Sequence, residues 1–410
     1  MRPMLCALLA LSACTEDVTA LYNTHRDYAL EGAGAVPRSW KPEVSLSLSP
    51  ALVSAMLETG LNQAAHEVEP VEVGRVATVT PTATVQRIEL VEDADCDDCI
   101  TFRARLKGDA RIKAGSLKQT LPFTAKIRAS LRFETRADGS SRWIEARATA
   151  VDRVELEIGE GNTLRVDLDQ ALEKWGEQLI AEVPPYAVAE LGGDDLVVRD
   201  LRLLPQGQGL RIEVLTNAAH GGALKKTSDL PDSGWQALIA EPTLLDFARR
   251  EAFNRGEIAM GVHAEPTALD VDGDRFTLDL RLWRLEGNGW WRDYRIEGAL
   301  AVQGKLVTFK PEAVGEIDKS DGAELADPLA ALGQSLILDA IQDAAAQAVP
   351  AAERSRVDGL ELAVVVREAK GQGDALLLAG DATLQTARRG ATPSRKGAAT
   401  SSATQGSRKK

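Results

Sequence analysis

Ser49-Pro50-Ala51-Leu52-Val53 opens a stretch of this 410-residue chain that occurs a second time. The second copy begins at Glu241-Pro242-Thr243-Leu244-Leu245, at an offset of 192 residues. Proline suits the first turn of a helix, where its missing N–H would have no partner in any case. Apolar residues at helical spacing follow each proline, so the sequence predicts two amphipathic helices, over residues 50–62 and 242–254. Their apolar faces are expected to hold Leu52, Val53, Met56 and Leu61 in the first helix and Leu244, Leu245, Ala248, Ala252 and Phe253 in the second.

Segments with the two-residue period of β-strands follow each of these helices. The clearest runs from Phe123 to Glu134, where apolar and polar residues alternate without interruption. In the second half of the chain, Leu278, Leu280 and Leu282 alternate in the same way. Alternation of this kind is typical of antiparallel sheets that turn one face to a core and the other to water. The polar face of the 123–134 strand is strongly basic.

A further helix is predicted after the strands in each half, over residues 169–183 and 325–349. Closing strands follow each of them, joined by Gly-Gln-Gly at 207–209 and again at 371–373. Four features in the same order predict a duplicated module. The expected fold class is therefore α+β, with two tandem modules that each pack long helices on a strongly curved antiparallel sheet.

The chain divides into five expected regions on this basis. They are a signal peptide over 1–13, a lipidated tether over 14–42, a first module over 43–218, a second module over 219–386 and a disordered basic tail over 387–410.

The N-terminus has the composition of an export signal. The apolar run from Met4 to Ala13 is too short to span a bilayer. It ends in Leu11-Ser12-Ala13-Cys14, which resembles the bacterial lipobox. That resemblance implies cleavage before Cys14, lipid attachment to its thiol and a membrane anchor. Thr15 in place of Asp implies sorting to the outer membrane. The alternative is an ordinary secretory signal followed by an incidental cysteine.

Charge limits the classes of partner. The formal net charge is −13, and an acidic chain is a poor match for the phosphates of nucleic acid, which is not expected as a partner. The tail over 387–410 is the exception, with seven basic residues and no acidic one. It is expected to contact an anionic envelope polymer, and the alternative is a solvated chain end.

The predicted module consists of a helix, long strands, a second helix and closing strands, and it occurs twice in one exported chain. This order of elements resembles the tubular lipid-binding superfamily, which includes bactericidal/permeability-increasing protein. The resemblance covers residues 43–380 and rests on the order of elements. It implies an apolar groove between helices and curved sheets that accepts a lipid ligand. The alternative is that the inward residues only fill a core. The candidate groove residues are Leu52, Met56, Ile127, Leu131, Phe133, Leu278, Leu280 and Leu282.

Cys96 and Cys99 form a Cys-x-x-Cys pair among four aspartates. Zinc would need two more ligands, and the acidic surroundings would raise a thiol pKa, which disfavours a redox role. A local disulfide is the favoured interpretation for an exported chain, with surface calcium binding as the alternative. The spacing of the aspartates is not that of an EF-hand. No metal site is expected.

Catalytic machinery is not apparent. The four histidines are scattered and none sits in a motif for metal binding or nucleophile activation. The protein is expected to be neither an enzyme nor a cofactor carrier. The expected function is that of an envelope lipoprotein that binds or carries a lipid. The alternative is a non-catalytic scaffold or adhesion lipoprotein with solid-cored domains.

Overall fold

The structure is a computed structural model of the chain. It describes residues 17–32, 39–67, 69–73, 77–91, 99–138, 141–158, 168–181, 186–191, 197–206, 209–218, 222–227, 229–259, 261–287, 289–303, 306–320, 323, 352–357 and 360–386.

Four helices lie in the described part of the chain, and they are α1 Val18–Leu30, α2 Pro50–Glu67, α3 Leu168–Ala181 and α4 Glu241–Arg255. The strands of the first half are β1 Val44–Leu48, β2 Val71–Val73, β3 Ala77–Val91, β4 Cys99–Ala114, β5 Leu117–Asp138, β6 Ser141–Ile158, β7 Tyr186–Leu191, β8 Val198–Gln206 and β9 Gly209–Thr216. Those of the second half are β10 Trp235–Ala240, β11 Glu257–Ala259, β12 Val262–Asp272, β13 Arg275–Arg284, β14 Trp290–Gln303, β15 Leu306–Lys319, β16 Ala352–Val357, β17 Leu360–Gly371 and β18 Ala375–Thr386.

The strands form three sheets, and each pairing between neighbours is antiparallel. The first sheet contains β2 to β7 in sequence order, and the second sheet contains β11 to β15. The central sheet has the order β16-β17-β18-β10-β1-β9-β8 and therefore takes strands from both halves of the chain. Apart from the edge strand β16, its order is symmetric about the β1–β10 pair. Each of these two strands leads directly into a helix, and each pairs on its other side with a closing hairpin.

The predicted fold class, α+β with long helices packed on curved sheets in two tandem modules, is wrong. The protein is mostly sheet: the described helices have 13 to 18 residues, whereas β5 alone has 22. The predicted helix over 325–349 lies outside the described residues. Strand length was underestimated because alternation continues past residues that usually mark turns. Gly108 stays inside β4, since a Cβ at this position would lie 1.9 Å from the Thr82 carbonyl oxygen of β3.

Both helices of the repeated stretch are present, with Pro50 and Pro242 in their first turns. The predicted apolar face of α2 is buried as expected. Of the predicted face of α4 only Phe253 is buried: Leu244, Leu245 and Ala252 are half-buried and Ala248 is exposed. The buried residues of α4 are Glu241, Thr243, Asp246, Arg250 and Phe253. An ion pair between Asp246 and Arg250 lets this polar face enter the interior.

Helix α1 lies within the region predicted as a tether. Asp17 caps it by accepting hydrogen bonds from the backbone N–H groups of Thr19 and Ala20. Tyr22 is buried between Phe253 of α4 and Trp283 of β13, with ring centroids 5.5 and 5.8 Å away. The chain is therefore fixed to the body of the protein from residue 18, inside the range predicted as a tether.

Candidate functional site

One cluster of buried apolar side chains, called here the apolar interior, runs through all three sheets. It joins Phe102 of the first sheet, Leu61 of α2, Ile212 of the central sheet and Phe276 of the second sheet. Helices α2 and α3 both pack against the first sheet, α2 against β3 and α3 against β6. The two halves of the chain thus share a single apolar region.

All eight predicted groove residues belong to the apolar interior or pack against it. Leu278 is half-buried, and the other seven are buried. Burial is common to a lined groove and a filled core, so their contact with a lipid stays a prediction. They come from three elements: Leu52 and Met56 from α2, Ile127, Leu131 and Phe133 from β5, and Leu278, Leu280 and Leu282 from β13.

The inner face of β4 and β5 alternates large and small side chains across the strand pair. Phe102 stands opposite Ala129, and Leu106 stands opposite Ala125. From Phe102 to Phe123 the large side chain moves from one strand to the other at each step, through the pairs Ala104 with Ile127 and Gly108 with Phe123, and it stays on β5 in the next pair, Ala110 with Leu121. Small residues spaced in this way leave shallow depressions on the sheet, into which helix side chains or a bound chain of methylenes fit.

Helix α3 places two polar side chains against this apolar face. Trp175 is 0% exposed and meets Phe123 of β5 edge to face. Its indole N–H has no acceptor, and the buried amide oxygen of Gln178 has no donor, among the residues that the structure describes. Residues three apart on a helix are neighbours, so α3 presents a donor and an acceptor side by side. Each buried group left without a partner costs about 1–3 kcal/mol, and a ligand with a polar end would recover that energy.

Helix α2 is held at a defined position on the first sheet. The side-chain oxygen of Asn62 accepts a hydrogen bond of 2.8 Å from the backbone N–H of Val85. That N–H is at a register shift between β3 and β4, where the ladder is interrupted. Asn62 therefore gives the backbone N–H of Val85 a partner where the ladder is interrupted, and it also holds α2 against β3.

A polar cluster joins α1 to the second sheet. Glu265 is 2% exposed and accepts a 3.0 Å hydrogen bond from the indole N–H of Trp283. Its carboxylate also lies 3.0 Å from Nδ1 of His25 and 3.7 Å from Nε of Arg249. The hydroxyl of Tyr22 lies 3.2 Å from Nδ1 of His263. Burial raises the pKa of Tyr22, helped by Glu265 and opposed by Arg26. Sequence reasoning missed this cluster, although Val18, Tyr22 and His25 share one helix face.

A second buried polar junction ties α4 to the central sheet. Arg250 donates to Asp246 and also to the carbonyl oxygens of Glu31 and Asn217, at 2.9 Å in each case. Glu43, just before β1, accepts from the backbone N–H and the hydroxyl of Thr216. Burial raises the pKa of Glu43; the hydrogen bonds from Thr216 oppose this shift and the charge of Asp246 adds to it. The contacts explain why α4 turns a polar face inward.

The remaining predicted site residues lie mostly outside the described part of the chain. Cys14, Cys96 and the basic tail over 387–410 are among them. Cys99 is buried at the start of β4 and is disulfide-bonded, and its pairing with Cys96 stays a prediction. Within the described ranges, no His, Cys, Asp or Glu side chains are grouped so that they would hold a metal ion. None of the described helices is both long enough and apolar enough to cross a bilayer.

Comparisons with known proteins give only a coarse likeness. No protein-family model and no curated protein matches the chain. A lipopolysaccharide binding protein of known structure is 12% identical and has a TM-score of 0.36, over 85% of this chain and 100% of the other. P47 from Clostridium botulinum A2 is 10% identical with a TM-score of 0.38, over 86% and 99% of the two chains. P47 of Clostridium botulinum E1 is 10% identical with a TM-score of 0.39, over 83% and 99%. The chain thus has a weak structural similarity to a lipid-binding protein, and scores this low support no conclusion about its own ligand.

Proposed function

We propose that this protein binds the acyl chain of a lipid in its apolar interior, between α2, α3 and the inner face of the first sheet. The observation that supports this most is the pair of unpartnered polar groups on α3, the indole N–H of Trp175 and the amide oxygen of Gln178. Trp175 packs in the apolar interior against Phe123 of β5, and Gln178 follows three residues later on the same helix. A molecule with a long hydrocarbon chain and one polar end matches that arrangement.

The lipid's two parts would meet different features of the site. Its carbonyl oxygen accepts from Trp175, and its hydroxyl donates to Gln178, so a protonated fatty acid and a monoacylglycerol both fit. Its methylenes pack in the depressions at Ala104, Ala125 and Ala129. Each buried methylene contributes about 0.8 kcal/mol, so the chain supplies most of the affinity and the polar end supplies orientation.

Uptake of a fluorescent fatty acid tests the proposal. The wild-type protein is expected to bind the probe, and Ala125→Phe, which fills the inner face of β5, is expected to weaken binding by about tenfold or more. Lys126→Gln changes the next residue of the same strand, on its outer face, and serves as the matched control. No uptake by the wild type, or equal uptake by the folded Ala125→Phe variant, would support a solid core instead.

We further propose that Cys14 carries the lipid anchor of an outer-membrane lipoprotein. Helix α1 begins at Val18, four residues later. Four residues reach at most about 14 Å, so the anchor would hold α1 and the second sheet close to the bilayer. Cys14→Ser is expected to move the protein from the membrane fraction to the soluble fraction and to remove a lipid mass shift. Unchanged fractionation of this variant would reject the anchor without affecting the proposal for the interior.

A further inference from the structure

The outer face of β4 and β5 concentrates positive charge on an acidic protein. Residues 99–136 hold ten basic and two acidic side chains, whereas the whole chain holds 48 and 61. All ten basic side chains occupy outward positions, and nine of them are exposed, with Arg128 half-buried. They are called here the basic face: Arg103, Arg105, Lys107, Arg111 and Lys113 on β4, and Lys118, Lys126, Arg128, Arg132 and Arg136 on β5.

The strand register sets like charges directly opposite one another. Arg103 stands opposite Arg128, and Lys113 stands opposite Lys118. Arg105 stands opposite Lys126 on one side and Arg87 of β3 on the other. Facing side chains on neighbouring antiparallel strands are about 5 Å apart, and like charges at that distance destabilise a sheet. On their other sides Arg103 stands opposite Glu89 and Lys126 stands opposite Glu155. These two acidic positions are fewer than the ten cations, and an anion lying across the strands would neutralise the excess.

The shape of the basic face favours an extended polymer. Arg103 and Lys113 are ten residues apart on β4, about 34 Å along the strand. Along this length the cations form two parallel rows, one on each strand, and the hydroxyl side chains Thr120, Thr124 and Ser130 lie within the row on β5. The aromatic residues of β4 and β5 are Phe102, Phe123 and Phe133, and all three are buried on the inner face. The described basic face therefore lacks a large apolar group to enter a bilayer or to stack on a nucleic-acid base.

We propose that the basic face binds a linear anionic glycan, one whose carboxylate, sulfate or phosphate groups repeat along the chain. Repeating anions pair with the two rows of Arg and Lys, and sugar hydroxyls hydrogen-bond to the Thr and Ser side chains within the β5 row. This surface is on the opposite side of the first sheet from the apolar interior, so the proposal does not depend on lipid binding.

The test uses β4, because Lys126, Arg128 and Arg136 of β5 have additional partners within the chain. The test variant combines Arg103→Gln, Arg105→Gln, Lys107→Gln and Arg111→Gln. The control variant removes four exposed cations from the other sheets, by Arg275→Gln, Arg295→Gln, Arg367→Gln and Lys370→Gln. Both variants change the net charge equally, and circular dichroism confirms that each is folded.

Binding to polygalacturonate is measured by biolayer interferometry, with neutral dextran as the control polymer. The wild type is expected to bind polygalacturonate and not dextran, with an affinity that falls by about tenfold or more between about 50 and 300 mM salt. The test variant is expected to bind at least about tenfold more weakly, and the control variant within about twofold of the wild type. Equal loss in both variants, or no binding by the wild type, would overturn the proposal. So would tighter binding of anionic vesicles or duplex DNA through the same four residues.

Discussion

Trp175 of α3 meets Phe123 of β5 edge to face, with ring centroids 5.6 Å apart and ring planes at 85°. The contact fixes α3 on the inner face of the first sheet, at the step of the strand pair where Gly108 stands opposite Phe123. Edge-to-face pairs are favourable because the positive rim of one ring meets the negative face of the other. The same side chain therefore packs the helix and brings an unpaired N–H into the apolar interior.

Trp175→Phe separates these two roles. The variant keeps an aromatic ring beside Phe123 and removes the buried N–H, so the unfolding free energy without lipid is expected to change by less than about 1.5 kcal/mol. Binding of a fatty acid or a monoacylglycerol is expected to weaken by about tenfold, since the donor to the carbonyl oxygen is lost. Urea unfolding and lipid titration measure the two effects. Unchanged lipid affinity in the folded variant would remove Trp175 from the site.

Glu43→Gln tests the buried junction at the start of β1. The pKa of Glu43 is raised from its ordinary value of 4.5, mainly by burial. The carboxyl group therefore keeps its proton to higher pH in the folded state than in the unfolded state. Its contribution to stability is complete below about pH 4.5 and is lost as the pH rises through the folded pKa. The wild type is expected to lose unfolding free energy relative to the variant over that window, and a difference independent of pH would contradict this prediction.

Tyr22→Ala tests the docking of α1. Removing a buried aromatic side chain of this size costs about 3–5 kcal/mol, which exceeds what a single 13-residue helix retains by itself. Amide hydrogen exchange over residues 18–30 is expected to lose its protection, while the central sheet keeps its own. Tyr22→Phe loses only the hydroxyl contact with Nδ1 of His263. In this variant the amides of residues 18–30 are expected to stay protected from hydrogen exchange. Equal protection in the wild type and Tyr22→Ala would show that Tyr22 does not hold the helix.

Gly371→Ala tests the junction between the central and second sheets. A Cβ at this position would lie 2.1 Å from the carbonyl oxygen of Val271, a backbone atom that cannot rotate away. The N–H of Gly371 also donates to the carbonyl oxygen of Gly273. The substitution is expected to lower the unfolding free energy by about 1–3 kcal/mol or more. Gly315→Ala, on the edge strand β15 with open space around it, is the control and is expected to stay within about 0.5 kcal/mol of the wild type. Equal thermal stability of the two variants would contradict this account of the junction.

Local patterns predicted individual elements well. Pro50 and Pro242 begin helices, and the alternation from Phe123 to Glu134 forms part of β5. These features depend on spacing along the chain, which a sequence displays directly. The burial of the predicted groove residues of β5, Ile127, Leu131 and Phe133, follows from the same alternation.

Contacts between distant segments were not predictable in the same way. The inward turn of Asp246 and Arg250 depends on the carbonyl oxygens of Glu31 and Asn217, which come from elsewhere in the chain. The N–H of Trp175, which has no acceptor among the residues that the structure describes, becomes apparent only when β5 is beside the helix. The length of β4 also depends on a distant segment, since Gly108 lies inside the strand where a Cβ would be 1.9 Å from the Thr82 carbonyl oxygen of β3.

Native mass spectrometry decides whether the apolar interior binds a lipid. The protein is purified without detergent and then exposed to monoolein. If the apolar interior binds an acyl chain, the wild type carries one monoolein adduct that is retained at low collision energy. The adduct is expected to be depleted in both Trp175→Phe and Ala125→Phe. Hexadecane, which has the chain and lacks the polar end, is expected to bind more weakly. A bare protein mass before and after exposure to monoolein would contradict lipid binding and show that the apolar interior is a filled core.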